Sequence, residues 1–350
     1  MNDAASAMRL DPLRGTLDDL DPSMPASQRV ALLVRTGLDR LPLPGSGATL
    51  LRWQALAAVA AADLSLAKLY EGHTDALAIF AELGVPAHSD APAAIWGVWA
   101  AEAPQGRAII DNVASAPDGG VTLNGAKCWC SGAAGATDAL LTAWHADGRG
   151  PQLVSVSLRQ PGVRVSDAAW HAVGMAGSAS LDVTFDRARA RLVGQPGAYL
   201  GRPGFWQGGA GVAACWYGGA VAIAGALRSA VMQAAPPAAS PFRHAALGRV
   251  DVALQATAAL LRQSAAWIDA NPMADASAVA LRSRLGAEES ATLALAEVGR
   301  ALGATPFCRD ARFARAAADL PVFIRQSHAE RDFAALGERV AGQGAPPWLL

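Results

Sequence analysis

The first block of the chain has the hydrophobic spacing of helices. Residues 50–84 contain no proline, and Leu66, Leu69 and Leu77 fall close to one helical face. Gly84 closes the stretch with a typical stop signal. We therefore predict helices throughout the N-terminal part.

The middle block alternates hydrophobic and polar residues with period two. Val154 and Val156 alternate with serines, and Val183 and Phe185 alternate with Asp and Thr. This period is typical of half-buried strands, and the glycines between the runs indicate turns. We predict a small antiparallel β domain.

The helical period returns at about Phe205. Val250, Leu254, Ala258 and Leu261 keep to one helical face. The predicted fold class is α+β, mainly α, with three domains: an N-terminal helical domain over residues 1–93, a central antiparallel β domain over residues 94–195, and a C-terminal helical bundle over residues 196–350.

Composition narrows the class of protein. Hydrophobic residues make up 52% of the chain, enough for a large core, so global disorder is excluded. The chain has 29 Lys+Arg against 30 Asp+Glu, which argues against a nucleic-acid partner. The four cysteines are too few for a disulfide scaffold and lack the spacing of a zinc site. We interpret them as reduced thiols and predict no metal.

Two segments bear on localisation. The N-terminus has early acidic residues and no apolar signal-peptide core, so we predict a cytoplasmic protein. Residues 203–227 are uncharged and long enough to cross a bilayer. Their many glycines, and the lack of a second such segment, favour a buried bundle helix with no membrane span.

Several motifs in one order resemble the acyl-CoA dehydrogenase superfamily. The β-domain signature of that family, "LNG-x-K-x-W-I-T", is similar to LNGAKCWCS, and its "GMR-S" stretch is similar to GMAGS. Its "T-E-P" turn is similar to the turn in WGVWAAEAP, and its catalytic helix pair resembles the C-terminal VGRALGATPFCRDARFARAAADLPVFIRQSH. The resemblance runs over about residues 30–340 and implies the same three-domain fold.

The resemblance implies a flavin cofactor, FAD first and FMN as the alternative. A flavin needs an aromatic or apolar face and fixed hydrogen-bond donors. The family's Trp and Thr beside the flavin match Trp129 and Ser131, and its "T-E-P" turn assigns Ala101 to the cofactor site. The alternative for Trp129 is a plain core aromatic residue.

The family's catalytic base is missing. Its usual Glu, which removes an α-proton, matches Ser327, with His328 beside it. A second group of members carries the Glu near the positions of Gly208 and Gly209. An imidazole accepts a proton near neutral pH, so His328 is the candidate base, with Ser327 as the second candidate catalytic residue. The alternative for His328 is a bond to the loop backbone or to Glu330.

The cofactor's phosphate end also differs from the family pattern. The family's "R-x-x-F-G" segment is absent between Met232 and Phe242. Family Gln positions match Arg243 and Arg300, which could hold phosphates or simply be solvated, and Gly303 is assigned to the same end of the cofactor.

Three functions follow from the resemblance. The leading one is a flavin-dependent oxidoreductase acting on an acyl thioester or related activated carbonyl. The others are a flavin monooxygenase of the same fold, which the Ser327–His328 pair fits, and a catalytically silent relative. The family also implies a homodimer or homotetramer. For His73 we predict a satisfied core histidine over a channel-lining one.

Overall fold

The computed structural model describes residues 10–104, 106–111, 120–166, 170–233, 240–344 and 348. Contacts divide the chain into two compact units. Unit 1 comprises Met1–Leu41, Ser65–Ala172 and Ala176–Phe205, and unit 2 comprises Pro42–Leu64, Val173–Met175 and Trp206–Leu350. Our division into three domains remains a prediction.

Helices flank a central run of strands in the described part of the chain. They are α1 (Leu10–Asp19), α2 (Ala26–Arg35), α3 (Thr49–Ala62), α4 (Leu64–Glu82), α5 (Ala198–Gly201), α6 (Gly204–Met232), α7 (Pro241–Ala270), α8 (Ser277–Leu302), α9 (Thr305–Arg309), α10 (Ala311–Phe323) and α11 (Glu330–Ala341). The predicted α+β, mainly α class is confirmed.

The strands form one mixed sheet in unit 1. They are β1 (Trp96–Trp99), β2 (Ala108–Asp111), β3 (Gly120–Ser131), β4 (Asp138–His145), β5 (Pro151–Ser157), β6 (Val163–Val165) and β7 (Ser180–Val193). Their order is β1-β4-β2-β3-β7-β5, with β6 on β7 and β4 also on β5. Most of these pairings are antiparallel as predicted, but β4 runs parallel to β1 and β2.

The sheet has a core on each face. One face buries Leu123, Val156 and Val183 in a cluster made by the strands themselves. On the other face, Phe80 of α4 packs against Trp96 and neighbouring strand residues. The sheet is therefore covered by α4 over only part of its second face.

The helices of unit 2 pack closely against one another. A Cβ added at Gly218 of α6 would lie 2.2 Å from the carbonyl oxygen of Ala57 in α3, so only glycine permits this approach. At this position the glycine allows α6 and α3 to pack closely. The helices α7 and α8 run antiparallel, since Arg249 pairs with Glu297 while Thr257 bonds to Gly286.

Helix α6 is the one described helix long and apolar enough to cross a membrane. In its most apolar 18-residue window, 72% is buried inside the structure. That burial agrees with the predicted bundle helix.

The predicted N-terminal helical stretch is broken in one place. Asp63 has an extended backbone, with φ −163° and ψ 125°, and separates α3 from α4. Its carboxylate lies 3.7 Å from Arg315 in α10. The hydrophobic pattern alone did not predict this break, although an aspartate directly before a helix is a common N-terminal signal.

Candidate functional site

A bulge in β3 turns Trp129 out of the sheet. Val121, Leu123 and Lys127 are buried at odd positions, but the pairing with β7 shifts between Lys127 and Cys130, and Cys130 is the next buried residue. Trp129 lies in this shift with φ 61°, a left-handed conformation that is uncommon outside glycine. Bulges of this kind commonly re-aim a side chain beside a functional site.

The Trp129 side chain is an exposed aromatic surface. It is 61% exposed and meets Trp170 edge-to-face, with ring centroids 6.3 Å apart. Residues held in a strained backbone conformation are commonly found at ligand-binding positions. A flat ring system fits such an indole, so the local structure fits the flavin expected there and disfavours the core-aromatic alternative.

Hydroxyl groups lie two positions further along β3. The Oγ atoms of Ser131 and Ser180 are 2.8 Å apart, and Trp99 Nε1 donates to the Ser131 carbonyl oxygen at 3.2 Å. These contacts fix the end of β3. The bulge interrupts simple alternation, so period two alone does not assign Trp129 and Ser131 to the same face of β3.

An ion pair between the buried Lys127 and the partly exposed Glu102 holds the turn that contains Ala101. Lys127 Nζ donates to Glu102 Oε1 at 2.7 Å and to Thr142 Oγ1 at 2.8 Å, and Trp144 Nε1 donates to Glu102 Oε2 at 3.1 Å. Burial would raise the pKa of Glu102, but these hydrogen bonds outweigh it and hold the pKa below its usual range. Burial lowers the pKa of Lys127. Ala101 itself is exposed beside this anchor.

The candidate base loop lies between α10 and α11 in unit 2. Asp332 Oδ2 accepts the backbone N–H of His328 at 3.1 Å, and its Oδ1 lies 3.4 Å from His328 Nδ1. The imidazole, 64% exposed, is therefore oriented by Asp332 rather than by Glu330, with Nε2 on the other side of the ring. Ser327 is buried, and its Oγ accepts the N–H of Ala329 at 3.1 Å.

One arginine joins the two places where family members carry a base. Arg284 of α8 donates to the Gly209 carbonyl oxygen at 3.2 Å and to the Gln326 carbonyl oxygen at 2.8 Å. Its guanidinium carbon lies 4.9 Å from the centre of the Trp216 ring. The start of α6 and the base loop are thus fixed to one another inside unit 2.

The residues expected at the cofactor's phosphate end lie together at one end of the α7–α8 pair. Arg243 Nε donates to the Ala301 carbonyl oxygen at 3.4 Å, and Gly303, with φ 65°, ends α8. Arg300 is engaged with Glu297 at 2.7 Å. The expected loss of a family segment between Met232 and Phe242 falls largely on residues 234–239, outside the described residues.

His73 is a satisfied core histidine, as predicted. It is buried in unit 1, its Nε2 lies 3.1 Å from Asp39 Oδ2, and its Nδ1 accepts the backbone N–H of Trp96 at 3.2 Å.

The structure groups the candidate residues within each unit. Ala101, Trp129 and Ser131 belong to unit 1, and the remaining candidates belong to unit 2. Sequence reasoning missed Asp332 and Arg284 as partners of the base loop. The spacing of four between His328 and Asp332 was a usable signal, whereas Arg284 is distant in sequence and gave none.

Comparison with known proteins gives a fold but no match by sequence. No protein-family model matches the sequence, and no curated protein matches it. Among solved structures, butyryl-CoA dehydrogenase from Megasphaera elsdenii has a TM-score of 0.79 at 15% identity, with 97% of this chain and 100% of that chain covered.

Two further similar structures are described with other ligands or another reaction. KijD3, in complex with FMN and a dTDP-linked amino-keto sugar, has a TM-score of 0.74 at 20% identity, covering 97% of this chain and 92% of that chain. The dibenzothiophene monooxygenase TdsC from Paenibacillus sp. A11-2 has a TM-score of 0.71 at 17% identity, covering 96% and 99%. The likeness extends over nearly the whole of each chain, and it shows that this protein has the acyl-CoA dehydrogenase fold.

Proposed function

We propose that the protein is a flavin-dependent oxidoreductase acting on a small molecule. The observation that carries the proposal is Trp129, exposed by a β-bulge in a strained conformation. An indole presented in this way supplies the aromatic face that an isoalloxazine ring needs. KijD3 and TdsC, which share the fold, are described in complex with FMN.

The chain's own residues have separate roles in this proposal. A bound flavin would supply two-electron transfer. Trp129 would hold its ring, and the Ser131–Ser180 hydroxyl pair would offer it a hydrogen-bond donor. The Glu102–Lys127 pair holds the Ala101 turn in place. His328 accepts or holds a proton at Nε2, oriented by Asp332.

Between the two reactions left open by the sequence, we favour oxygenation. Neither family base position carries a carboxylate, because residues 208, 209 and 327 are Gly, Gly and Ser. Proton abstraction from a thioester needs a base with a defined position. Oxygenation instead needs a proton-handling group, which the His328–Asp332 pair provides. In that reaction one oxygen atom of O₂ enters the substrate and the other becomes water. A reduced nicotinamide or reduced flavin supplies the two electrons.

Dehydrogenation of an acyl thioester or a related activated carbonyl is the second candidate. It is supported by the likeness to butyryl-CoA dehydrogenase. In this case His328 would have to replace the missing Glu as the base.

Anaerobic reduction separates the two reactions. We expect purified protein to carry a yellow chromophore that a saturated acyl-CoA such as butyryl-CoA does not bleach. Reduced nicotinamide, or a flavin reductase with its substrate, should bleach it, and air should restore the colour. Bleaching by a saturated acyl-CoA alone would establish the dehydrogenase instead. A colourless protein without affinity for FAD or FMN would refute the flavin proposal and favour the catalytically silent relative.

The flavin's identity follows from the same preparation. FAD remains the first expectation and FMN the alternative. Arg300 is engaged with Glu297, which weakens its candidacy as a phosphate ligand. Mass spectrometry of the flavin released by heat distinguishes the two cofactors.

The proposed assembly is a homodimer or homotetramer formed through the C-terminal helices. Size-exclusion chromatography with light scattering tests it, and a single species with the mass of one 35.8 kDa chain would refute it.

A further inference from the structure

The part of the sheet that α4 leaves uncovered is a polar groove in unit 1. Its volume is about 600 Å³, within the usual size range of small-molecule sites. Residues 88–90 form one side, and Arg159 with Gln160 forms another. We call it the β7 groove, because Arg189 and Arg191 of β7 line its floor.

The floor of the β7 groove presents two arginines between hydroxyl groups. Arg189 and Arg191 alternate with Ala188 and Ala190, which are buried in the strand core, so the two guanidiniums leave the opposite face. Arg189 pairs in register with Thr122 of β3.

Flanking strands supply small and polar neighbours to the second arginine. Arg191 stands opposite Gly120 on β3 and Ser155 on β5. Because Gly120 has no side chain and Ser155 a short one, bulky side chains do not fill this part of the floor. Arg159 adds a third cation to the lining of the groove.

The groove is fixed by hydrogen bonds before any ligand binds. Gln160 Oε1 accepts the backbone N–H of Arg189 at 2.9 Å, and Gln160 Nε2 donates to the carbonyl oxygens of Arg189 and Ser157 at 2.8 Å each. The turn after β5 is thereby attached to β7. A pre-formed site loses less free energy to ordering when it binds.

Carboxylates line the groove on the other side of β5. Asp138 of β4 stands opposite Ser157, one strand further from β7, and its Oδ2 accepts hydrogen bonds from Ser89 and Thr137 at 2.6 Å each. Asp90 lies at the exposed edge with Ser89. Strand spacing of about 4.8 Å puts Asp138 roughly 10 Å from β7. The cationic floor is thus distinct from the acidic side.

We propose that the β7 groove binds a phosphate-bearing small molecule. Arginine guanidiniums match phosphate oxygens with paired hydrogen bonds, and serine and threonine hydroxyls complete such sites. The phosphate group lies over Arg189 and Arg191, and the remainder of the ligand extends towards Asp138 and Asp90, which favour hydroxyl or amino donors. Nothing in this inference depends on the proposed flavin chemistry.

The groove is also separate from Trp129. It includes Gly120 and Thr122 at the start of β3, whereas Trp129 is near the other end of the same strand. At about 3.3 Å per residue, the seven positions from Thr122 to Trp129 span roughly 23 Å. Loss of phosphate binding and loss of flavin can therefore be measured as independent effects.

Isothermal titration of the purified holoprotein with pyrophosphate tests the site. We expect saturable binding to the wild type, weakened about tenfold or more in Arg189→Ala, since a hydrogen bond to a charged group commonly contributes that much. Arg164→Ala is the matched control, because Arg164 is an exposed arginine on β6 of the same sheet and does not line the groove. Its affinity for pyrophosphate should be unchanged.

Titrations with other phosphate compounds identify the chemical class of the ligand. Inorganic phosphate binding as tightly as pyrophosphate indicates a free-anion site, and tighter binding of ADP indicates a phosphorylated organic ligand. Arg191→Lys, which keeps the charge, and Ser155→Ala provide variants with less risk to folding, checked by urea unfolding.

The inference is overturned if no probe binds saturably, or if Arg189→Ala and Arg164→Ala bind equally. It is also overturned if Arg189→Ala loses flavin along with phosphate, because the groove would then serve the cofactor.

Discussion

At the scale of single residues, the backbone conformation of Trp129 decides what the site offers. A regular strand would have kept position 129 on the buried side with Leu123 and Lys127. The left-handed torsion instead exposes a large apolar ring, an arrangement that costs about 1–3 kcal/mol without compensation. Ala329, beside His328, has a similar torsion with φ 47°. Strain therefore occurs in both units next to a candidate functional side chain.

Replacing Trp129 by alanine should weaken flavin retention. A stacked aromatic ring contributes about 0.5–1.5 kcal/mol beyond its buried area, so the flavin dissociation constant should rise by roughly threefold to tenfold or more. Flavin fluorescence during dilution measures it. Trp348→Ala is the control, because Trp348 is even more exposed and lies outside the sheet. Equal retention in both variants would contradict the stacking role.

His328→Ala should lower turnover about 10²–10⁴-fold while flavin binding persists, the usual contribution of a positioned acid or base. Asp332→Asn should give a smaller loss and a changed pH profile, because the ring loses its orienting carboxylate. Glu338→Gln, an exposed change on the same helix, is the control for Asp332→Asn. Full activity in His328→Ala would show that His328 is a loop residue without a role in proton transfer.

At the scale of elements, the sequence predicted which segments are helices and strands better than it predicted their irregularities. The period-two runs at Val154 and Val183 are strands, and the spacing from Val250 is helix α7. The bulge at Trp129 depends on a partner distant in sequence, the strand β7. Local periodicity contains no information about such partners. The same limit explains why parallel β1–β4 pairing was not foreseen.

Glycines of α6 that differ only in their neighbours should respond oppositely to alanine. Gly218→Ala places a Cβ 2.2 Å from the Ala57 carbonyl oxygen, so α3 must shift, and we expect a loss of about 1–3 kcal/mol. Gly225→Ala meets no atom within 4 Å and should gain about 0.5–1 kcal/mol from helix propensity. Urea unfolding measures both changes. Destabilisation by Gly225→Ala would contradict the expected effect of helix propensity at an open position.

Glu102→Gln should destabilise unit 1 in a pH-dependent way. The folded pKa of Glu102 is lowered, so the stability it contributes is present above the unfolded value of about 4.3 and is lost as pH falls through the folded pKa. Because its side chain is 36% exposed, solvent screens the pair, and we expect the free energy of unfolding to fall by only about 1 kcal/mol at pH 7. Urea unfolding at pH 7 and near pH 4 should show the difference shrinking. An equal difference at both pH values would exclude the ionic contribution.

At the scale of the whole molecule, the motif order identified the fold even though no family model or curated protein matches the sequence. Collinear fragments such as LNGAKCW and GMAGS preserve the parts of the fold that need special backbone geometry. Gly174 in the second fragment approaches the Ala318 carbonyl oxygen so closely that a Cβ would lie 2.0 Å away. The site was less predictable, because Arg284 acts through contacts with segments distant in sequence, which no local fragment encodes.

Adding a carboxylate at a position that matches a family base should allow the protein to dehydrogenate an acyl-CoA. Gly209→Glu is preferable to Ser327→Glu, because a Cβ at Gly209 meets no atom within 4 Å while Ser327 is buried. We expect butyryl-CoA to bleach the flavin of Gly209→Glu anaerobically but not that of the wild type. Gly209→Gln, with the same shape and no base, is the control. Bleaching in the Gln variant would show that the added carboxylate is not responsible.

The contacts of Arg284 have a consequence for substitutions in the two stretches of chain that it joins. By joining Gly209 to Gln326, the arginine makes two distant stretches of chain one local neighbourhood. A base gained at either stretch, or lost from both, leaves that framework in place. Because Arg284 binds backbone oxygens in both stretches, the side chains at positions 209 and 326 can be replaced without removing the groups that accept its hydrogen bonds.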